Sequence, residues 1–364
     1  MSLSVGIIGL PNVGKSTLFN ALTKQQAETA NYPFCTIDPN IGIVAVPDER
    51  LEQLADMLGR ERKIPSTVKF VDIAGLVKGA SSGEGLGNQF LAHIREVDML
   101  VHVVRCFQES DVTHVTGNVN PLEDISIIET ELALADIETV VRRKEKVEKL
   151  IKAKEKGAQK EKELLNKVEE ILNAGGLVRE EMDGEQMALL AELNLLTAKP
   201  IIYAANISEE QLLSDTNDVL ADLETYAGKK GVAAAPISAQ LEAEVAELDD
   251  IERQEFLKDF GLDSSGLHRL IKSVYRLLGL NTFFTYNETE VRAWEISVGT
   301  PVPQAAGKIH KDMETGFIRA DVINWQLLLD CGDFVAARQK GLLKSEGKEY
   351  ELADGDVVYI HFRS

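Results

Sequence analysis

The run Gly9-Leu10-Pro11-Asn12-Val13-Gly14-Lys15-Ser16 sets two glycines, a lysine and a serine at the spacing of a phosphate-cradling loop. Average composition yields this spacing in roughly one chain of this length in a hundred, and the surroundings sharpen the signal. An apolar strand from Val5 to Ile8 precedes the loop, and a helical pattern from Thr17 to Leu22 follows it. The glycines let backbone N–H groups curl around phosphate oxygens, and the helix N-terminus adds its dipole. Lys15 would reach the β- and γ-phosphates as a catalytic cation, and the Ser16 hydroxyl would bind Mg²⁺. A Gly-rich turn with a surface lysine is the bland alternative.

A second apolar run, Ser66 to Val71, ends in Asp72-Ile73-Ala74-Gly75. A carboxylate at a strand end suits a Walker B aspartate acting through the Mg²⁺ shell, and Gly75 would let a backbone N–H approach the γ-phosphate. In the loop between, Asn31 to Asn40, Thr36 is the expected second hydroxyl on the metal; a Pro-punctuated loop with a solvated threonine is the alternative. The glycine cluster Gly79 to Gly87 lacks GxGxxG spacing and does not open the first βα unit, so it reads as a switch loop. Leu76 stands where Ras-like enzymes place the glutamine that orients water. Either hydrolysis is slow and a partner completes the site, or another side chain is recruited. His114, in the polar segment after strand Leu100–Val104, is the candidate catalytic side chain, although a lone histidine is more often structural.

Guanine readers normally carry NKxD after a late strand. Here the strand Pro200 to Ala205 is followed by Asn206-Ile207-Ser208-Glu209, so isoleucine replaces the lysine and glutamate the aspartate. Adenine presents no N1–H and no 2-amino group, so a carboxylate aimed at that edge loses its partners. Asn206 can pair with adenine N6 and N7, Ile207 can pack on the base, and Ser238 begins the loop that closes over the base edge. The expectation is ATP over GTP.

Gly85 to Ile94, following Asp72 to Leu76, resembles the Obg-type branch of the translation-factor GTPases. With the altered base motif, the whole chain is similar to the YchF proteins, also called Obg-like ATPases. This resemblance implies ATP binding and slow hydrolysis to ADP and phosphate on a G-protein fold, with ribosome association through the large subunit or the whole ribosome. Carried over by position, ATP contacts fall on Asn12, Val13, Gly14, Lys15, Ser16, Thr17 and Ile207, and Mg²⁺ on Ser16 and Thr36. Asn206, Glu209 and Ser238 join the nucleotide set as base readers, with Gly75 and Leu76 as switch positions. Asn12 also resembles its counterpart in potassium-activated GTPases, where an asparagine there helps hold K⁺.

The expected fold class is α/β: a doubly wound P-loop G domain (1–125 and 197–277), an inserted antiparallel helical arm (126–196) and a C-terminal β-grasp domain resembling TGS (278–364). Glu129 to Ile151 is free of Gly and Pro, Gly157 interrupts it, and Leu164, Val168, Ile171 and Leu172 recur at helical spacing. In the C-terminal part, Gly307 to Asp312 opens a short helix pattern between strand-like segments. Lys308, His310, Lys311 and Arg319 could meet RNA phosphates, with Arg338, Lys340, Lys344 and Lys348 in a loop region; a solvated rim explains them nearly as well.

Thirty-nine Lys+Arg against 59 Asp+Glu give a net charge of −20, which excludes coating nucleic acid through bulk charge. The acidity is uneven: Arg142–Glu170 carries eleven basic and seven acidic residues, while Glu209–Asp259 carries four and fourteen. The basic arm reads as an RNA- or ribosome-facing element or as a plain solvated helix pair. Hydrophobic residues at 44%, no membrane-length apolar run, and three cysteines without a CxxC pair point to a soluble, cytoplasmic protein. Two other readings stay open: an ordinary Obg-type GTPase, and a non-catalytic nucleotide-sensing stress regulator acting by protein–protein contact.

Overall fold

In a computed structural model of the chain, residues 3–24, 40–74, 86–108, 119–214 and 217–363 are described. They form two compact units, one built from Met1–Val44 and Lys69–Leu270, the other from Ala45–Val68 and Ile271–Ser364.

The first unit is built on a mostly parallel sheet, with only the edge strand Ile41–Ala45 running antiparallel to its neighbour. Its strands come from β1 (Ser4–Ile8), β2 (Ile41–Ala45), then, after the short β3 (Arg62–Ile64) of the second unit, β4 (Thr67–Asp72), β5 (Met99–Arg105), β6 (Ile201–Asn206) and β7 (Ala233–Ile237). They lie in the order β2-β4-β1-β5-β6-β7, with β1 parallel to both β4 and β5, β5 parallel to β6, and β6 parallel to β7. Every residue of β1, β5 and β6 is buried, as expected of central strands covered on both faces. The strand order reverses beside β1, and ligands of such sheets bind outside the carboxyl ends at that point. This is the doubly wound P-loop architecture read from the sequence. Helix α1 (Lys15–Lys24) starts two residues before the helical pattern suggested, because Gly14 already accepts from the Leu18 N–H.

Helix α2 (Glu49–Leu58) belongs to the second unit and α3 (Leu86–Glu96) to the first. Between β5 and β6 the chain makes its helical insertion. Helix α4 (Pro121–Lys152) is capped by Asn120 and longer than its Gly- and Pro-free stretch implied, since Pro121 occupies the first turn, where its missing N–H costs nothing. Gly157, at φ +89°, turns the chain into α5 (Ala158–Asn173). Val140, Val147, Leu165, Val168 and Leu172 form the apolar seam, and Arg143–Glu161, Lys144–Glu169 and Lys162–Glu148 cross it as ion pairs. Those pairings make the two helices antiparallel.

Buried polar groups fix the root of α4. Glu129 accepts from Arg179 (2.7 Å), Lys230 (2.8 Å) and the hydroxyls of Tyr203 (2.9 Å) and Tyr226 (3.3 Å). Burial alone would raise its pKa; the cations and hydroxyls outweigh that and hold it below the ordinary glutamate value. Asp136, fully buried, accepts from the Leu196 and Thr197 N–H groups and the Thr197 hydroxyl.

The second unit contains β8 (Leu280–Tyr286), β9 (Glu290–Ser297), β10 (Phe317–Asn324), β11 (Lys344–Glu346) and β12 (Asp356–Phe362), in the order β11-β10-β12-β8-β9-β3. A β8–β9 hairpin with β12 parallel beside β8 and β10 antiparallel beyond it is the β-grasp arrangement. Two sequence expectations shift here. Residues 45–68 were placed with the nucleotide domain; instead β3 pairs with β9, and Leu51, Leu54 and Ala55 of α2 pack with Phe284, Val291 and Val357. The helix expected to open at Gly307 begins at Val302, behind Pro301, and ends at Ile309; His310 then caps a second helix, Lys311–Thr315.

His102, midway along β5, is fully buried, and neither ring nitrogen has a hydrogen-bond partner among the described residues. Burial pushes its pKa down to about 4. Unfolded, it titrates near ~6.5, so as pH falls between those values the unfolded state takes the extra proton and stability drops. At pH 5 His102 alone removes about 2 kcal/mol relative to pH 8. Urea unfolding of wild type and His102→Leu at both pH values checks this: the variant should lose about that much less on acidification. Equal losses would rule out the histidine as their source.

Candidate functional site

Two cavities of the first unit meet at the phosphate-cradling loop. The first, about 790 Å³, is lined by Asn12, Gly14, Lys15, Ser16, Thr17 and Asp72 among others. The second, about 1120 Å³, shares Asn12, Gly14 and Thr17 and continues along Phe107, Asn206, Ile207, Glu209, Ser238 and Ala239. One end is therefore polar, with Lys15 and a helix N-terminus in its lining. The other is a slot between loops that follow β5, β6 and β7.

At the phosphate end, Asn12 (φ +63°) and Gly14 (φ +90°) take left-handed conformations that bend the loop. Lys15 forms an ion pair with Asp72 at the end of β4, both side chains largely buried. Ser16 and Thr17 lie exposed in the first turn of α1. The Ser16 hydroxyl and the Asp72 carboxylate are hard oxygen donors facing the cavity that Lys15 faces, a donor set that suits Mg²⁺ shared with nucleotide phosphates. Val13, like Leu10, turns its side chain into the core, at 1% exposed, so only the Val13 backbone faces the site.

At the base end the central residue is Asn206, the last of β6, 3% exposed. Its Nδ2 donates to the Val13 carbonyl (2.8 Å) and its Oδ1 accepts from the Ala239 N–H (3.0 Å). A Cβ on Gly14 would stand 2.2 Å from that Nδ2. The Cys106 N–H donates to the Asn206 carbonyl (2.8 Å), and the Ile207 N–H donates to Ile237 (2.9 Å). The Asn206 side chain thus fastens the phosphate loop to the base loops, with one amide N–H left over for a ligand. Ile207 is 3% exposed and apolar; Glu209 is half-buried at the start of the short helix Glu209–Leu212. Ser238 is buried and caps the helix Ala239–Val245 through Leu241.

Phe107, absent from the residues picked out by sequence, lines the base cavity. The Arg105 guanidinium lies 4.7 Å from its ring centroid, and Arg105 Nε donates to the Phe107 carbonyl. An aromatic residue just past a strand that ends at the site was the available signal. Thr36, Gly75, Leu76 and His114 fall outside the described residues.

Residues 4–207 match the sequence family described as 50S ribosome-binding GTPase, and residues 280–363 match YchF-GTPase_C, described as a protein of unknown function. The Ribosome-binding ATPase YchF of Bacillus subtilis (strain 168) is 49% identical over 364 residues, covering 100% of both chains. The chain belongs to the YchF family. The protein of that name from Escherichia coli O157:H7 is 49% identical over 363 residues, 100% of this chain and 99% of that one. Among solved structures, the YchF GTPase of Schizosaccharomyces pombe has a TM-score of 0.89 at 37% identity, over 99% of this chain and 98% of that chain. The YchF match spans both units, so the helical insertion and the β-grasp sheet belong to the family's shared architecture.

Asn206→Asp keeps the shape and the acceptor for Ala239 but sets an oxygen against the Val13 carbonyl. Losing that buried bond should cost about 1–3 kcal/mol, with nucleotide affinity falling at least tenfold. Thermal melts and isothermal titration check it; unchanged Tm and Kd would mean the clamp carries no energy.

Proposed function

We propose that this YchF family member is a Mg²⁺-dependent ATPase that prefers ATP to GTP and acts as a slow, nucleotide-controlled switch on the ribosome in the cytoplasm. The observation that carries the base preference is the pairing of a buried Ile207 with Glu209 in the slot that Asn206 fastens to the phosphate loop. A lysine and an aspartate at those positions would serve guanine; an apolar Ile207 sharing the slot with Phe107 suits a flat adenine ring. Hydrolysis and ribosome binding rest on the full-length likeness to proteins named ribosome-binding ATPases.

In this reading Lys15 leaves Asp72 for the β- and γ-phosphates, freeing the Asp72 carboxylate for the metal's shell. Ser16, with Thr36, would supply hydroxyl ligands to Mg²⁺, whose bound charge would offset that developing on the phosphates. Asn12, Gly14 and Thr17 hold the phosphate chain through the loop and helix start. Gly75 and Leu76 form the γ-phosphate-sensing segment, and His114 is the side chain we assign to orienting water where leucine cannot. Asn12 is also the position to hold K⁺. Ribosomal RNA would be met by the basic arm and the β-grasp domain. A GTPase is the competing reading, favoured by the GTPase wording attached to the matched family and to the fission-yeast structure.

Equilibrium binding of non-hydrolysable ATP and GTP analogues with Mg²⁺ decides between them, with Lys15→Ala as the blank. ATP should bind at least tenfold tighter, about 1.4 kcal/mol; equal or tighter GTP binding overturns the preference. The double variant Ile207→Lys, Glu209→Asp should move the ratio at least tenfold toward GTP. A ratio that stays put places base selection elsewhere.

A further inference from the structure

The β-grasp unit carries a recess unrelated to the nucleotide site. Fifteen Lys/Arg against eighteen Asp/Glu leave this unit close to neutral, so most of the chain's −20 charge sits in the other. Strand register builds the recess. Asp321 of β10 lies opposite Tyr359 of β12, and Arg319 opposite His361, so these four share one sheet face. Val357 pairs with Phe284, which brings Tyr286 of β8 alongside Tyr359 on that face. Phe334 stacks on Tyr286 with ring centroids 4.4 Å apart and planes 19° from parallel. The enclosed space is about 200 Å³, room for one heterocycle and too small for a base pair.

The polar wall is arranged as well. Asp321 is held by Arg319 Nη1 (2.6 Å), His361 Nε2 (3.1 Å) and Arg338 Nη2 (3.6 Å), and Arg319 also donates to Ser345 (2.8 Å). Two arginines around one carboxylate leave positive charge at the rim, where Arg338 is 73% exposed. Tyr359, half exposed at 50%, offers an open ring face. Stacking faces inside a recess for a single ring, with cations around its mouth, form the recognition chemistry of an unpaired nucleotide.

We propose that this recess is a subsite for one unstacked base of single-stranded RNA: the base stacks on Tyr359 beside Tyr286, Asp321 accepts from its exocyclic amino group, and Arg338 and Arg319 meet the flanking phosphates. The inference deepens the ribosome-binding reading and rests on it for the identity of the natural RNA.

The test uses the full chain and fluorescein-labelled octaadenylate, read by fluorescence anisotropy, with a blunt RNA duplex as competitor. Tyr359→Ala, on a half-exposed side chain, should weaken binding at least tenfold, while Tyr359→Phe stays within about twofold and ATP hydrolysis is unchanged. Binding unaffected by Tyr359→Ala, or a duplex that competes as well as the single strand, overturns the subsite. Co-sedimentation with ribosomes separates the two claims. If wild type and Tyr359→Ala sediment alike while the oligonucleotide result is also unchanged, the subsite falls, the ribosome reading stands and the contact is made by other surfaces, protein included. If wild type binds octaadenylate through Tyr359 yet does not sediment, the ribosome reading falls and the subsite stands.

Discussion

The Asn206 amide holds together surfaces that come from four separate stretches of chain. Its Nδ2 reaches the phosphate loop at Val13, its Oδ1 the loop after β7 at Ala239, and its backbone carbonyl the end of β5 at Cys106. Gly14 is the complementary constraint, because any side chain there would occupy the place of that Nδ2. The parallel register that sets Arg105 beside Asn206 then brings Phe107 and Ile207, just past the two strand ends, into the lining of the slot. This division of labour explains the form of the base motif. The asparagine works chiefly on the protein, so it is needed whichever base is bound. The positions after it line the slot without fastening the loops by their side chains, so isoleucine and glutamate can stand there without loosening the site.

Charge is distributed along the site in the same sense. The phosphate end holds Lys15, Lys69 and the α1 N-terminus beside two carboxylates, Asp72, already paired with Lys15, and Glu96. The base end is bordered by Glu209, Glu210, Glu244 and Glu247. A nucleotide laid across both has its anionic end at the cation and its neutral, amine-bearing ring among carboxylates. The reverse orientation would bring phosphates to four glutamates. Electrostatics thus favours an anionic chain at the Lys15 end over the glutamate-bordered end.

How much of this was legible in the sequence depends on how local each interaction is. The strand, glycine loop and helix from Val5 to Leu22 were readable because their geometry is set within twenty residues, and Gly157 marked the hairpin turn for the same reason. The pairing of Arg62–Ile64 with β9 was not, since three residues with two charges carry no strand periodicity and find their partner more than two hundred positions away. The prolines at 301 and 303 hid the true start of the Val302 helix, although proline at a first turn is compatible with helix. At the site, residue types revealed Lys15, Ser16, Asp72 and Asn206. They could not show that Asn206 binds protein on both sides or that Val13 turns inward.

The helical arm ties the nucleotide unit to whatever lies at its tip. Glu129 and Asp136 anchor α4 to β6, to the helix Asp218–Lys229 and to residues 196–197, the strand and neighbours that also position Asn206. From Asp136 to Lys152 the helix continues for about 24 Å, so a few degrees of rotation at the root moves the far end by ångströms. That geometry is useful only if the arm is stiff. Single exposed ion pairs contribute little, but Arg143–Glu161, Lys144–Glu169 and Lys162–Glu148 recur along one apolar seam and lock the two helices in register. These cations are committed to the arm itself, as is Arg142 to Glu138. The net positive charge of the segment therefore overstates what it can offer a phosphate backbone: part of that charge is the bracing that holds the two helices together.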